Sequence, residues 1–120
     1  KFVVVFTDGE NTVFGASGQS FNTSDYGSYN FLDSNRMGTT NRSTALSKVN
    51  TWTLDACNTL KAQDVEIFTV LLGADTPANR TLYSKCATTD QHYFPTNDVS
   101  QLDSVFKKIA SRIAKLYVTQ

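Results

Sequence analysis

Phe2-Val3-Val4-Val5-Phe6-Thr7-Asp8-Gly9-Glu10-Asn11 is the stretch from which this chain is read. Five apolar residues run without a break, and without the alternation that marks a strand with one wet face. Such a run predicts a strand buried on both faces, as in the middle of a parallel sheet. It stops on Thr7-Asp8-Gly9, which sets a hydroxyl and a carboxylate at the carboxyl end of the strand. In open α/β sheets ligands bind at that end. Asp-Gly is also an ordinary turn pair. Two readings of Asp8 therefore stand side by side, a turn residue and a ligand-binding carboxylate.

Around this strand, 120 residues leave room for one domain. With 40% hydrophobic residues and 11 basic against 11 acidic side chains, the composition is that of a globular fold of zero formal net charge. A general polyanion binder is not expected, so nucleic acid is not among the expected partners. No run of about 18 apolar residues occurs, and no direct membrane insertion by this segment is expected. No signal-peptide pattern is visible. The sequence opens inside what reads as a central strand, which needs neighbours on both sides. The expectation is a piece of a larger domain whose other strands lie upstream.

Residues 9–43 form a long polar tract rich in Gly, Ser, Asn and Thr, with Phe14, Phe21, Tyr26, Tyr29 and Phe31 scattered through it. Structureless loops of that length are uncommon in compact domains and are usually functional or disordered. The aromatics argue against full disorder. The tract reads either as a loop packing its own aromatics or as a recognition surface beside Asp8. Leu46, Val49, Trp52 (or Thr53), Ala56 and Leu60 then recur at helical spacing, predicting a helix that starts between Ser43 and Trp52 and ends near Ala62-Gln63. Thr44 and Ser47 are expected to face solvent or to cap it. Val65 to Leu72 is a second continuous, β-branched strand, ended by Gly73. Asp75-Thr76-Pro77 starts another helix, with Thr76 as the cap and Pro77 in the first turn, running to about Ala87. His92-Tyr93-Phe94 reads as a short strand before Pro95. A last helix starts near Asp98, with Val99, Leu102, Val105, Phe106, Ile109, Ile113 and Leu116 as its apolar stripe. Tyr117 to Gln120 is expected as a short tail strand. The alternation of strands and helices predicts an α/β fold with a mostly parallel sheet.

The chemistry-bearing residues are few. The chain has no G-x-S-x-G elbow, no phosphate loop, no G-x-G-x-x-G and no zinc spacing of cysteine and histidine. Its one histidine, His92, falls in a strand and is expected to be structural, because a catalytic base needs a nucleophile and an orienting partner. Cys57 and Cys86 allow one disulfide or two buried thiols. Three N-x-S/T triplets, at Asn22, Asn41 and Asn79, carry little weight in a chain so rich in these residues. A hard cation, Mg²⁺ or Ca²⁺, is the remaining possibility at the first strand. It wants about six oxygens, of which Asp8 and Thr7 would supply part.

Thr7-Asp8-Gly9-Glu10-Asn11 after its apolar strand resembles the end of the fourth strand of a von Willebrand factor type A (VWA) domain. The rest resembles the C-terminal half of the TadG-like proteins of the bacterial tight-adherence (Tad/Flp) pilus system. The residues that carry the likeness are Leu54-Asp55-Ala56-Cys57-Asn58-Thr59-Leu60-Lys61, Val65 to Val70, Leu82-Tyr83-Ser84-Lys85-Cys86-Ala87, His92-Tyr93-Phe94, and Gln101-Leu102 with Phe106 to Ala110. The resemblance implies a Rossmann-like, doubly wound and mostly parallel sheet, the C-terminal half of a VWA fold spanning residues 1–120. Residues 9–43 would be a long polar insertion after its first strand. It also implies an adhesion site for Mg²⁺ or Ca²⁺, to which this sequence contributes Asp8; the D-x-S-x-S and Thr elements of the family's site are not in it. The two cysteine-bearing helices would lie side by side, implying a Cys57–Cys86 disulfide.

The function so implied is a non-enzymatic protein–protein interaction or adhesion module. It would sit on the periplasmic or extracellular side of the bacterial envelope, anchored through a segment outside this chain, and bind a pilus or Tad-system component or a cell-surface ligand. Two alternatives stand beside it. One is a scaffold with a vestigial metal site, in which the polar tract makes the contacts. The other is an α/β hydrolase using His92.

Overall fold

A computed structural model describes residues 1–13, 32–73 and 75–118. In chain order the regular elements are β1 (Phe2–Thr7), α1 (Arg42–Ala62), β2 (Glu66–Leu72), α2 (Pro77–Cys86), β3 (Tyr93–Thr96) and α3 (Leu102–Val118). Single 3₁₀ turns lie at Leu32–Ser34, Asp90–His92 and Val99–Gln101. The strands form one parallel sheet in the order β1-β2-β3. The mixed α/β class with a parallel sheet, expected from the alternation of elements, is therefore present. The chain divides into two compact units, residues 1–10 with 54–120 and residues 11–53.

In the first unit β2 is central. Ile67, Phe68, Thr69, Val70 and Leu71 are all buried, as their continuous apolar run predicts. Each large side chain here contributes about 1.5–3 kcal/mol by leaving water. Alternation along the strand divides them between two layers. Phe68 and Val70 pack with Val105 and Ile109 of α3, joined by Phe94, Leu102 and Ile113. Ile67 faces the other way, onto Cys57 of α1 and Cys86 of α2, with Val5 and Leu60. Leu71 lies on that same side with Leu82 and Tyr83 of α2, Leu54 and Tyr93. Helices thus cover both faces of β2.

β1 departs from the expectation of a strand buried on both sides. It pairs with β2 from Phe2↔Glu66 to Thr7↔Leu71, and among the described residues no strand lies on its other side. Phe2, Val3, Val4 and Phe6 are exposed, while Val5 and Thr7 are half-buried. The sequence is that of a central strand; among the described residues it lies at the edge of the sheet. β3, the opposite edge, carries Pro95, a residue that a sheet accepts only where no donor is missed.

The helix ends follow local chemistry. α1 begins at Arg42, and its cap is Asn41, whose Oδ1 accepts from the Thr44 amide at 3.0 Å. It closes with Asp64 at φ 56°, the Asp64 amide on Lys61 O at 3.1 Å and the Val65 amide on Leu60 O at 3.1 Å. That pairing is a Schellman ending with Asp in the left-handed position. Cys57 faces inward as its place beside the stripe predicts, but the stripe of α1 is otherwise shifted: Ala45 is buried, whereas Trp52 and Ala56 are exposed. Thr76 caps α2 by accepting from the Asn79 amide at 3.2 Å, with Pro77 behind it, as the sequence predicts. Asp98 receives the Ser100 amide at 2.9 Å, and a 3₁₀ turn leads from there into α3. The tail expected as a strand continues α3 to Val118 instead, because Leu116 keeps the helical spacing of Val105, Ile109 and Ile113.

The second unit has its own small core of Leu32, Met37 and Ala45, with Val13 and Val49 against it. Asn11 donates to Asn50 Oδ1 at 2.9 Å, and the Arg42 Nε–H to Val13 O at 2.9 Å. These contacts hold the described ends of the polar tract to α1. Phe14, Phe21, Tyr26, Tyr29 and Phe31, on which the self-packing reading rests, lie outside the described residues, as does Asn22 of the first N-x-S/T triplet.

Cys57 and Cys86 form a disulfide with a Cα–Cα distance of 5.2 Å, joining α1 to α2. It closes a loop with a sequence separation of 29 residues. The chain-entropy relation gives about 3.5 kcal/mol for a loop of that size. A Cys57→Ser, Cys86→Ser double variant should therefore lose about 2–4 kcal/mol in urea unfolding relative to the oxidised chain. Added reductant should lower the stability of the wild type and leave that of the variant unchanged.

Candidate functional site

The carboxyl end of the sheet is built from three turns. The first follows β1. Thr7 Oγ1 donates to Gly9 O at 3.1 Å and accepts from the Gly9 amide at 3.3 Å, which folds Asp8 into a tight turn. Buried Tyr83 of α2 donates its hydroxyl to the same Gly9 carbonyl at 3.0 Å. The Tyr83 carbonyl is itself held by Thr69 Oγ1 at 2.9 Å. A chain of hydrogen bonds thus runs from the middle of β2 through α2 to the Asp8 turn. Asp8 stands exposed at its end.

The second turn follows β2. Gly73 takes φ +71°, a left-handed conformation that glycine adopts without a Cβ penalty, and donates to Thr96 O at 2.7 Å. Beyond it Asp75 forms a two-bonded ion pair with Arg80, Arg80 Nη2 lying 2.9 Å from Asp75 Oδ2. The hydrogen bonds and charge of the guanidinium hold the Asp75 carboxyl below its usual range and raise the Arg80 group. The third turn follows β3, where hydrogen bonds from Ser100 hold the Asp98 carboxyl below its usual range. Both carboxyls favour the folded state above pH about 4, their unfolded range, and that contribution is lost as pH falls through their lowered values. Burial, with a further push from Asp75, raises the Tyr93 phenol above its usual range.

A hard divalent cation needs six or more oxygens converging on one point. Thr7 Oγ1 is spent on the turn, and Asp75 and Asp98 are engaged by Arg80 and Ser100. Among the described residues no three carboxylate, imidazole or thiol groups gather in one place. Asp8 is therefore one ligand without a shell, and these donors do not by themselves fit Mg²⁺ or Ca²⁺.

Sequence reasoning missed a second arrangement. His92 precedes β3 in the 3₁₀ turn rather than lying in the strand, and its ring is 2% exposed. Nδ1 lies 2.6 Å from Thr89 Oγ1 and Nε2 lies 3.1 Å from Glu66 Oε2, while the ring packs on Phe68 at a centroid distance of 4.5 Å. Hydroxyl, imidazole and carboxylate stand in the order of a hydrolytic triad. The imidazole, however, is sealed and both of its nitrogens are occupied. It ties the entry to β3 to the start of β2, which is structural work. One signal of it was present in the sequence: Glu66 is the only charged residue of β2. Of the glycosylation triplets, Asn41 is spent as a helix cap and Asn79 is buried. No helix among the described residues is long and apolar enough to cross a membrane.

Comparison of the chain with protein-family models, with curated proteins and with solved structures returns no match.

Two measurements check this account. His92→Ala removes a buried ring and leaves Glu66 and Thr89 without their partner; urea unfolding should show a loss of about 3 kcal/mol. Calorimetric titration of the chain with Mg²⁺ or Ca²⁺ should show no saturable binding below millimolar concentrations, and Asp8→Ala should give the same trace.

Proposed function

We propose that this chain is a non-enzymatic protein-interaction module of VWA type. We further propose that it belongs to a bacterial Tad-type pilus-assembly protein on the periplasmic or extracellular side of the envelope, anchored through a segment outside this chain. The observation that carries the reading is the Asp8 turn. It presents an exposed carboxylate at the carboxyl end of a parallel strand, on a backbone pinned by buried Tyr83. Binding residues concentrate on loops held by a rigid scaffold, and in parallel α/β sheets at this end of the strands. The Cys57–Cys86 disulfide supports an oxidising compartment. The sealed imidazole of His92 speaks for a structural rather than a catalytic histidine.

A second reading draws on residues 11–53, which form a compact unit with a core of their own. In that reading the sheet is a scaffold and the polar tract makes the partner contacts.

The purified chain should bind a purified pilin or minor pilin of a Tad system in biolayer interferometry. Asp8→Lys, with an unchanged circular dichroism spectrum, should weaken that binding at least tenfold, while EDTA should leave it unchanged. Full binding by Asp8→Lys, together with loss on shortening the tract between Val13 and Leu32, would select the second reading. Failure of every Tad pilus component to bind would overturn the proposal.

A further inference from the structure

Residues 103–115 carry four of the chain's 11 basic side chains, Lys107, Lys108, Arg112 and Lys115, and one of its 11 acidic ones, Asp103. The rest of the chain is therefore acidic by three charges, although the whole is formally neutral. Cations near a helix C-terminus complement the dipole, but that effect is confined to the last turn. In α3, which ends at Val118, it accounts for Lys115 and not for Lys108 or Arg112. Lys107 is matched by Asp103 at 2.7 Å. Lys108 and Arg112 are like charges one turn apart, which costs a helix stability. Among the described residues neither has a carboxylate within ion-pair distance.

What these two cations flank is apolar and concave. Val105, Ile109 and Ile113 are the inward stripe of α3. On one side of that stripe Phe106 meets Phe6 of β1, at a ring-centroid distance of 6.1 Å. On the other side, toward β3, Lys108 and Arg112 enclose a pocket of about 170 Å³ with Gln91 and Phe94, and Phe68 of β2 forms part of its lining. Phe68 is 1% exposed and its ring is backed by His92 at 4.5 Å, so this apolar surface is fixed in place. The same two cations line a larger groove of about 560 Å³ along the outer face of α3, with Ser104, Lys107, Ser111 and Lys115. Pocket and groove lie on the β3 side of the sheet, away from β1. They do not depend on what stands beside that strand.

An apolar hollow under a cationic rim selects a ligand that combines an apolar group with negative charge. Small-molecule sites run to roughly 300–1,000 Å³, whereas this pocket has room for a single side chain. A lipid surface is met by apolar side chains that project beyond the basic ones; here the apolar surface is recessed beneath them. We propose that this face of α3 docks an acidic, extended segment of a partner protein. One aliphatic side chain of the segment enters the pocket between Phe68 and Phe94, and the carboxylates flanking it meet Lys108 and Arg112. The guanidinium of Arg112 offers a carboxylate two parallel N–H donors. Further carboxylates lie along the groove, against Lys107, Lys115 and the hydroxyls of Ser104 and Ser111. The acidic balance of the rest of the chain repels the same segment and so confines it to α3. This inference rests on α3 and β3, and it stands whether or not Asp8 binds a pilus component.

Fluorescence anisotropy with the fluorescein-labelled peptide Asp-Glu-Leu-Glu-Asp-Glu tests this on the whole chain. The peptide should bind saturably, with a Kd below about 100 µM at low salt. Replacing its leucine by serine should weaken binding about fivefold or more, since the pocket then loses its apolar occupant. Lys108→Glu and Arg112→Glu, both at exposed positions, should each weaken it about tenfold with an unchanged circular dichroism spectrum. Lys85→Glu makes the same change of net charge on α2, across the sheet from α3, and should leave the Kd within about twofold. Absence of saturable binding up to about 1 mM peptide overturns the proposal. Equal losses for Lys85→Glu and Lys108→Glu overturn it, because net charge alone would then account for binding. Equal affinity for the leucine and serine peptides overturns it too, because the pocket would then be unused. Co-sedimentation with phosphatidylglycerol vesicles, without binding of the peptide, would give the face to an anionic membrane instead and overturn it.

Discussion

A strand enclosed on both faces and both edges can satisfy its backbone only through its neighbours, and β2 is such a strand. From Ile67 to Leu71 it is buried, so every peptide group must be matched: by β1 and β3 along the ladders, and at Ile67 by Thr88, whose Oγ1 accepts the Ile67 amide at 2.7 Å and whose amide donates to Ile67 O at 3.0 Å. The rest of the first unit is arranged to permit this. α3 covers Phe68 and Val70, and the cysteine-bearing parts of α1 and α2 cover Ile67. The only hydroxyl in the enclosed run, Thr69 Oγ1, is not left unpaired but donates to Tyr83 O. That bond also sets the height of α2 against the sheet. The Asp8 turn is held by the same helix through the Tyr83 hydroxyl. The geometry of the candidate binding edge is thus inherited from the burial of a strand beside it.

Much of this could be read from residue order because it depends on local pattern. The continuous run Val65 to Leu72 has no alternation and becomes the enclosed strand. Thr76 before Pro77 caps a helix wherever the chain turns into one. The apolar spacing from Leu102 to Leu116 needs no partner to declare its period. What was not legible depended on neighbours. Phe2 to Phe6 carries the same signature as β2, yet a run of residues specifies how much burial a strand wants, not how many strands come to provide it. The stripe of α1 slipped because Trp52 looks like a core residue by size, while the small Ala45 takes the close approach. A small residue marks a contact surface as often as it marks nothing, so spacing alone could not choose between them.

The His92 link shows the same limit at a polar site. Thr89 and His92 are near in sequence, but Glu66 is 26 residues before the imidazole and meets it only because β2 and β3 are paired in a fixed register. A sequence scan looks for chemistry in short spacings, and a parallel sheet builds it across long ones. The carboxyl rim differs in kind. Asp75 and Asp98 are matched within five residues of themselves, by Arg80 and Ser100. This leaves Asp8 as the rim carboxylate whose own turn is secured by backbone, a hydroxyl and a phenol rather than through its carboxylate.

The bridge between Cys57 and Cys86 also has a mechanical meaning. Tension applied to the two ends of the chain would pass along α1 to residue 57 and cross directly through sulfur to residue 86. Everything between those positions, β2 included, lies off the load path. The enclosed strand could lose its neighbours under such a pull, yet it could not itself be drawn out. About 100 Å of contour length, at roughly 3.5 Å per residue over the sequence separation of 29, would stay locked. A reduced chain would release that length in full.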